Sequence, residues 1–169
     1  MTTVTHKGKT VHLKGELPAE GQKGPDFTFV DPELSEVRLT EIGEKIKILI
    51  AVPSLDTSVC AAETFNFSQK LAQKDGVAAL VISKDLPFAM KRYMQNNHIT
   101  NIIAASDFRY GEFTSKYNVE LTDGPLKGLT SRAIFVLDKD DIIKYVELVP
   151  EISLEPQYSK ALAIIDSLL

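Results

Sequence analysis

Apolar residues form three nearly unbroken runs in the middle of the chain, and these runs predict the centre of the fold. The runs are IKILIAVP (46–53), GVAALVIS (76–83) and NIIAAS (101–106). A strand covered by helices on both faces carries apolar residues at successive positions, as the strands of parallel sheets do. We therefore predict three parallel strands here, separated by segments long enough for crossover helices.

The segments that follow these strands have the composition and spacing of helices. Helices are predicted at 58 to about 74, 84–98, 108–118 and 155–169. In the second of these, Asp85 is a candidate N-terminal cap. Pro87 falls in the first turn, where its missing N–H leaves no helical bond unmade.

Short strands complete the pattern towards both ends of the chain. The further predicted elements are a hairpin at 2–6 and 10–14, a strand at 27–31, one helical turn within 38–45, and a second hairpin within 130–149. Strands that alternate with helices and end in an antiparallel pair indicate an α/β fold. We expect a central mixed sheet flanked by helices, with an N-terminal β-hairpin.

The composition agrees with one folded domain and argues against some classes of binding partner. The 169 residues are 44% hydrophobic and 25% charged, so a single domain spanning residues 1–169 is expected. A net charge of −4 argues against a nucleic-acid or anionic membrane surface. The first residues lack the apolar core of a signal peptide, and no run reaches membrane-spanning length, which favours a cytoplasmic protein.

Cysteine and histidine are too sparse for the commoner metal or disulfide sites. Cys60 is the single cysteine, which excludes an intramolecular disulfide and a multi-cysteine zinc site. His6, His12 and His98 are scattered singly. We therefore expect no metal site and no cofactor.

Cys60 stands where a thiol can become reactive. It follows the strand at 46–53 and falls in the first turn of the next predicted helix, at the sheet edge where α/β proteins form their sites. Unpaired N–H groups and the helix dipole stabilise an anion there, which favours the reactive thiolate. A lone cysteine is otherwise most often a buried packing residue. Position alone leaves both interpretations open.

Several motifs resemble those of a known family. PSLDTSVC (53–60) has the Pro-x-x-x-Thr-x-x-Cys spacing of the peroxiredoxins, and GQKGPDFTFVD (21–31) is similar to their entry segment. The segments similar to the bacterial thiol peroxidase subfamily are KDLPFAMKRY (84–93), DGPLKGLTSRAIFVLD (123–138), EISLEPQYSKALA (151–163) and the N-terminal hairpin. The resemblance covers essentially the whole chain and implies a thioredoxin-like fold.

The resemblance also implies an activity and a set of site residues. Cys60 would be the nucleophile that attacks a peroxide oxygen and becomes a sulfenic acid. Thr57 would hydrogen-bond the thiolate and the peroxide, Pro53 would shield the pocket from water, and Arg132 would lie beside the sulfur. The implied substrates are hydrogen peroxide and small organic hydroperoxides, and the implied assembly is a homodimer.

The chain departs from the subfamily at one position. A resolving cysteine is usual on the helix after the second strand, and the aligned residue here is Met94. A thioether cannot form the disulfide. The sulfenic acid would then be reduced by an external thiol, such as thioredoxin, glutaredoxin or a low-molecular-weight thiol, or two chains would join through Cys60; an engineered change at Met94 is a third explanation. Without a second thiol, easier over-oxidation is expected.

Two other functions compete with a peroxidase. A redox sensor or interaction module could retain the fold and a reactive Cys60 without efficient turnover. A cysteine hydrolase or acyltransferase would need a histidine base near Cys60. His98 is the only candidate beyond the N-terminal hairpin, and nothing in the sequence orients it.

Overall fold

A seven-stranded sheet forms the centre of the computed structural model, which describes residues 1–169. The strands are β1 (Thr3–His6), β2 (Lys9–His12), β3 (Thr28–Val30), β4 (Glu36–Arg38), β5 (Ile46–Ala51), β6 (Val77–Ser83), β7 (Ile103–Ser106), β8 (Ala133–Leu137) and β9 (Ile143–Leu148). The helices are α1 (Ser58–Leu71), α2 (Pro87–Asn96), α3 (Glu112–Lys116) and α4 (Tyr158–Leu168), with a 3₁₀ turn at Leu39–Ile42.

The sheet is mixed, with its parallel strands at the centre. Its order is β4-β3-β7-β6-β5-β8-β9. The pairs β5–β6 and β6–β7 are parallel, whereas β8 lies antiparallel to both β5 and β9, and β3 antiparallel to β4 and β7. This confirms the predicted α/β fold with three central parallel strands and an antiparallel pair at the end.

Two hydrophobic cores lie on opposite faces of this sheet. Alternate residues of β5 point to opposite faces, so Ile48 and Ile50 join one core and Leu49 joins the other. The first core packs α1, α2 and α4 against the sheet and includes Cys60 and Met94. Helix α3 and a group of aromatic rings close the second core. Covering both faces explains why the central strands are apolar at successive positions.

The N-terminal hairpin forms a separate two-stranded sheet, as predicted. Its strands pair from Thr3 opposite His12 to His6 opposite Lys9, which leaves a two-residue turn at Lys7 and Gly8. A small third core joins the hairpin to the rest of the chain; its members are Val4, Val11, Leu13, Leu121 and Ile152.

The structure differs from the sequence prediction at several element boundaries. Strand β4 was not expected, and α3 begins only after Gly111, which adopts a left-handed conformation. The prediction that Asp85 caps α2 is wrong, because the N-cap residue is Leu86 and no side chain caps this helix. None of the four helices has the length and apolar character needed to cross a membrane.

Candidate active site

Cys60 is the third residue of α1, at the edge of the sheet where β5 ends. The N–H groups of Ser58, Val59 and Cys60 meet no acceptor in the protein, and the first helical bond is donated by Ala61 to Thr57. A free helix start of this kind attracts an anion. The Cys60 side chain itself is fully buried.

Arg132 lies directly against the Cys60 sulfur. Its Nη1 and Nη2 atoms are each 3.4 Å from Sγ. The sheet register explains this meeting of two residues far apart in sequence, since β8 pairs antiparallel with β5 so that Ala133 faces Ala51, where β5 ends. Arg132 directly precedes β8 and therefore falls beside the start of α1.

Two further contacts hold the guanidinium in this orientation. Nη1 donates to Oε2 of Glu63 at 2.5 Å, and Nε donates to the carbonyl oxygen of Ile152 at 2.9 Å. Arg132 is 2% exposed and Glu63 is fully buried. Because all three nitrogens of the guanidinium are engaged, Arg132 presents its donors to the sulfur in a fixed geometry.

Glu63 is a site residue that sequence reasoning missed. It lies three residues after Cys60 in α1, a spacing that places two side chains on the same helix face. That spacing was the available signal for Glu63. A glutamate on the same helix face as a buried cysteine is itself buried, and a buried charge needs a partner.

The Arg132–Glu63 pair carries unusual electrostatics. Burial raises the pKa of Glu63 to about 7, and the neighbouring Arg132 charge opposes this shift only in part. Burial lowers the pKa of Arg132, but Glu63 and Cys60 outweigh that effect and raise it overall. Arg132 therefore stays charged at any relevant pH, whereas Glu63 can change its protonation near neutrality. Its second oxygen, Oε1, is buried without a hydrogen-bond partner.

A cavity of about 280 Å³ opens above this group. Its lining residues are His6, Lys7, Pro53, Ser54, Thr57, Ser58, Val59, Leu126, Leu129, Arg132, Ile152 and Ser153. Pro53 and Thr57 thus share one cavity with Arg132, which also contacts the Cys60 sulfur. The structure brings all four residues singled out from the sequence into one neighbourhood.

The Thr57 hydroxyl makes a different contact from the one expected. Thr57 is the N-cap residue of α1, but its Oγ1 donates to the carbonyl oxygen of Ser54 at 2.8 Å rather than contacting Cys60. The carboxylate of Asp85 supports the same loop. It accepts hydrogen bonds from Ser54 Oγ at 2.7 Å and from the Leu55 N–H at 2.8 Å.

The region around α2 contributes no second reactive group to Cys60. Met94 is buried in the same core as Cys60, where it packs as an apolar side chain. Tyr93 Oη donates to the Ala61 carbonyl oxygen at 2.5 Å and ties α2 to α1. His98 is exposed beyond the end of α2, and no imidazole contacts the sulfur, so the hydrolase alternative lacks its base.

Known proteins resemble this chain over its whole length. The family described as Redoxin matches residues 19–162. A thiol peroxidase from Leptospira interrogans is 50% identical over 171 aligned positions, covering all of both chains. A thiol peroxidase from Aquifex aeolicus is 40% identical and is covered to 98%, with 99% of this chain matched.

Solved structures give the same result for the fold. The crystal structure of a peroxiredoxin-like protein from Aquifex aeolicus has a TM-score of 0.94 at 40% identity, covering all of this chain and 98% of that one. A thiol peroxidase from Chromobacterium violaceum, at 23% identity, shares the fold with a TM-score of 0.88 over 98% of this chain and 95% of that one. The predicted thioredoxin-like fold is thus confirmed. The chain belongs to the redoxin family, within the bacterial thiol peroxidase branch of the peroxiredoxins.

Proposed function

We propose that this peroxiredoxin reduces hydrogen peroxide and small organic hydroperoxides with thiols, using Cys60 as its nucleophile. One observation carries the proposal: both terminal nitrogens of Arg132 lie 3.4 Å from the Cys60 sulfur, at a helix start with free N–H groups. A guanidinium and free backbone donors together favour the thiolate, which is the reactive form of cysteine. Attack by a thiolate needs no general base.

The first half of the reaction oxidises Cys60. The thiolate attacks one peroxide oxygen, the S–O bond forms as the O–O bond breaks, and the departing oxygen takes a proton and leaves as water or an alcohol. Negative charge moves from the sulfur to the departing oxygen. Fixed donors near both atoms lower this barrier because they need no rearrangement as the charge moves. Arg132 and the free N–H groups of α1 supply such donors.

Thr57 and Pro53 have supporting roles in this proposal. Rotation of the Thr57 side chain would release its hydroxyl from Ser54 and allow it to bond the peroxide. Pro53 is buried at the cavity wall and offers no N–H to water, so it keeps the sulfur shielded. Glu63 positions Arg132 and does not touch the substrate.

The second half of the reaction uses a thiol from outside the chain. The sulfenic acid condenses with an external thiol, such as thioredoxin or a low-molecular-weight thiol, to give a mixed disulfide and water. A second external thiol then releases Cys60. The absence of another cysteine supports this one-cysteine cycle, since Met94 cannot form a disulfide. We further propose a single functional domain, a cytoplasmic location where thiols stay reduced, and a homodimer by analogy with the family.

Steady-state peroxide consumption tests the peroxidase function. We expect wild-type protein to turn over with thioredoxin or a small thiol, and Cys60→Ser to lose at least about a thousandfold in rate, because the nucleophile is gone. Met90→Leu, a volume-conserving change in the core that holds Cys60, is the matched control and keeps its activity. Stoichiometric oxidation without turnover would instead identify a sensor, which the relatives named as peroxidases do not favour.

Over-oxidation tests the one-cysteine cycle separately. Without a prompt second thiol, the sulfenic acid meets further peroxide and advances to sulfinic acid. Mass spectrometry after graded peroxide should find two added oxygens on Cys60 at lower doses than in a two-cysteine relative. A Cys60 that stops at one added oxygen in excess peroxide contradicts this part of the proposal.

A further inference from the structure

The ionisable residues that line the cavity above Cys60 are all basic. They are His6, Lys7 and Arg132, and no aspartate or glutamate lines the cavity, although the whole chain has a net charge of −4. Arg132 is already engaged with Glu63 and the sulfur. Lys7 is exposed, and its ammonium group has no ion-pair partner. Lys7 is therefore the free cation at the cavity.

The backbone conformation at Lys7 does not favour lysine over other residues. It is the first residue of the two-residue turn between β1 and β2, with φ of 52°, and Gly8 follows with φ of 81°. Two successive positive φ angles define a turn in which asparagine, aspartate or glycine is preferred at the first position. Lysine, like most residues that carry a Cβ, adopts a positive φ less readily than these residues do. Turn chemistry alone does not explain this residue.

The turn is held against the active site by one carboxylate. Glu151 accepts hydrogen bonds from the backbone N–H groups of Lys7 at 3.2 Å and Gly8 at 2.9 Å, and from Thr5 Oγ1 at 3.0 Å. It also accepts from Ser153, and these bonds lower its pKa. The next residue, Ile152, supplies the carbonyl oxygen that Arg132 Nε binds. A single loop thus fixes both the turn and the guanidinium.

Apolar side chains form part of the cavity wall, beside serine and threonine residues. Leu126, Leu129 and Ile152 line it, together with Val59 and Pro53. Hydrogen peroxide alone would gain nothing from such a wall. A substrate with a hydrocarbon chain would bury apolar surface there.

We infer that Lys7 determines substrate specificity, by binding the anionic group of a hydroperoxide whose apolar chain lies against Leu126, Leu129 and Ile152 and whose peroxide group reaches Arg132 and Cys60. The inference rests on the proposed peroxidase function and names the substrate class of the same site. That class is hydroperoxides with a carboxylate at the far end of the chain. Lys7 does not take part in the bond-breaking step.

The experiment compares straight-chain ω-hydroperoxy carboxylic acids with their methyl esters, which lack the negative charge and carry one more methyl group. Full-length wild-type protein should reduce the best acid about fivefold faster than its ester, measured as kcat/KM, the size of one solvent-screened charge pair. The preference should shrink as salt is added. Lys7→Met should lose it, whereas Lys7→Arg should keep it. Lys9→Met is the matched control, since Lys9 lies on the same hairpin outside the cavity lining.

Hydrogen peroxide separates failure of this inference from failure of the function. Lys9→Met should reduce it at the wild-type rate, and for each Lys7 variant the acid and ester rates are compared with that variant's own rate on hydrogen peroxide, which carries neither chain nor charge. Equal rates for acid and ester in the wild type, or a preference that survives in Lys7→Met, overturn the role of Lys7 and leave the peroxidase function standing. If wild-type protein consumes no peroxide at all, the proposed function fails, and the inference fails with it.

Discussion

Helices α1 and α2 begin at the same edge of the sheet, after neighbouring parallel strands, yet only α1 offers a set of free donors. At α1, the N–H groups of Ser58, Val59 and Cys60 have no acceptor. At α2, Pro87 has no N–H, and only the N–H of Phe88 remains unpaired in the first turn. Two helix starts in equivalent places therefore have different capacity to hold an anion.

The strands beside the two helices explain the rest of the difference. Strand β5 has β8 as its other neighbour, and β8 brings Arg132 to the sulfur. Strand β6 has β7, whose Ser106 only donates to the Asp85 carbonyl oxygen. Leu86 and Phe88 at the start of α2 are largely exposed, and neither lines the cavity above Cys60. In this protein, the start of α1 combines free N–H groups with a guanidinium from the neighbouring strand, and the start of α2 does not.

Replacing the guanidinium of Arg132 should have the largest effect on the difference between the starts of α1 and α2. Arg132→Lys keeps a positive charge but cannot contact the sulfur, Glu63 and the Ile152 carbonyl oxygen together. We expect Cys60 oxidation by hydrogen peroxide to slow about a hundredfold, as when a fixed transition-state donor is removed. Stopped-flow measurement of the oxidation step checks this. Arg109→Lys, at a surface ion pair with Glu36, is the control. An Arg132→Lys rate within about threefold of wild type would refute the assignment.

The buried carboxylate of Glu63, within α1, makes the stability of the protein depend on pH. The pKa of Glu63 in the folded protein, about 7, lies above its ordinary 4.5 because burial outweighs the attraction of Arg132. The folded state holds this proton more tightly than the unfolded chain does. The resulting stabilisation is complete below about pH 4.5 and is lost as the pH rises through about 7.

Glu63→Gln should remove that dependence. Across this pH range, the wild-type free energy of unfolding should fall by about 2 kcal/mol more than that of Glu63→Gln. Urea unfolding at both ends of the range measures the difference. Glu44→Gln, an exposed glutamate without an ion pair, should follow the wild type. Equal pH slopes for Glu63→Gln and wild type would mean that Glu63 keeps an ordinary titration.

Asp85 links the two helix starts, so its removal tests whether one supports the other. Asp85→Ala leaves the Leu55 N–H and two serine hydroxyls, Ser54 and Ser83, without their acceptor. We expect a loss of about 1.5 kcal/mol in unfolding free energy and slower Cys60 oxidation, because the loop that carries Pro53 loosens.

Asp31→Ala is the control for Asp85→Ala, because the Asp31 carboxylate also accepts hydrogen bonds in a turn, from the Glu33 and Ser35 N–H groups. The control should lose stability and keep its oxidation rate, and the idea fails if the two variants match in rate.

The fold was predictable from sequence where local pattern and tertiary environment agree. Apolar runs located β5, β6 and β7 because strands buried on both faces need no alternation. Strand β4 escaped because three residues with one apolar side chain form no pattern. Asp85 followed the local rule for a helix cap, but the neighbouring loop offered its carboxylate stronger tertiary partners.

The site residues also divide into those that local spacing predicts and those that only the fold brings together. Pro53, Thr57 and Cys60 are close in sequence, so their spacing alone placed them together. Arg132 reaches Cys60 only through the antiparallel pairing of β5 and β8, which no local pattern encodes. Family resemblance supplied that expectation. A single glutamate in a helix is typical of a solvent-facing position, and so Glu63 was missed.

Exchanging the first helical residues is the finest test of the comparison. Ser58→Pro removes one free N–H from α1 at a position where proline is tolerated, since the preceding Thr57 is already extended. Pro87→Ala adds one N–H to α2. Each change should alter the unfolding free energy by less than about 1 kcal/mol. Only Ser58→Pro should slow Cys60 oxidation, by about threefold, the effect of one partly exposed donor. If Pro87→Ala changes that rate as much, the donors at α1 act through helix stability, and the electrostatic difference between the two helix starts has no part in the chemistry.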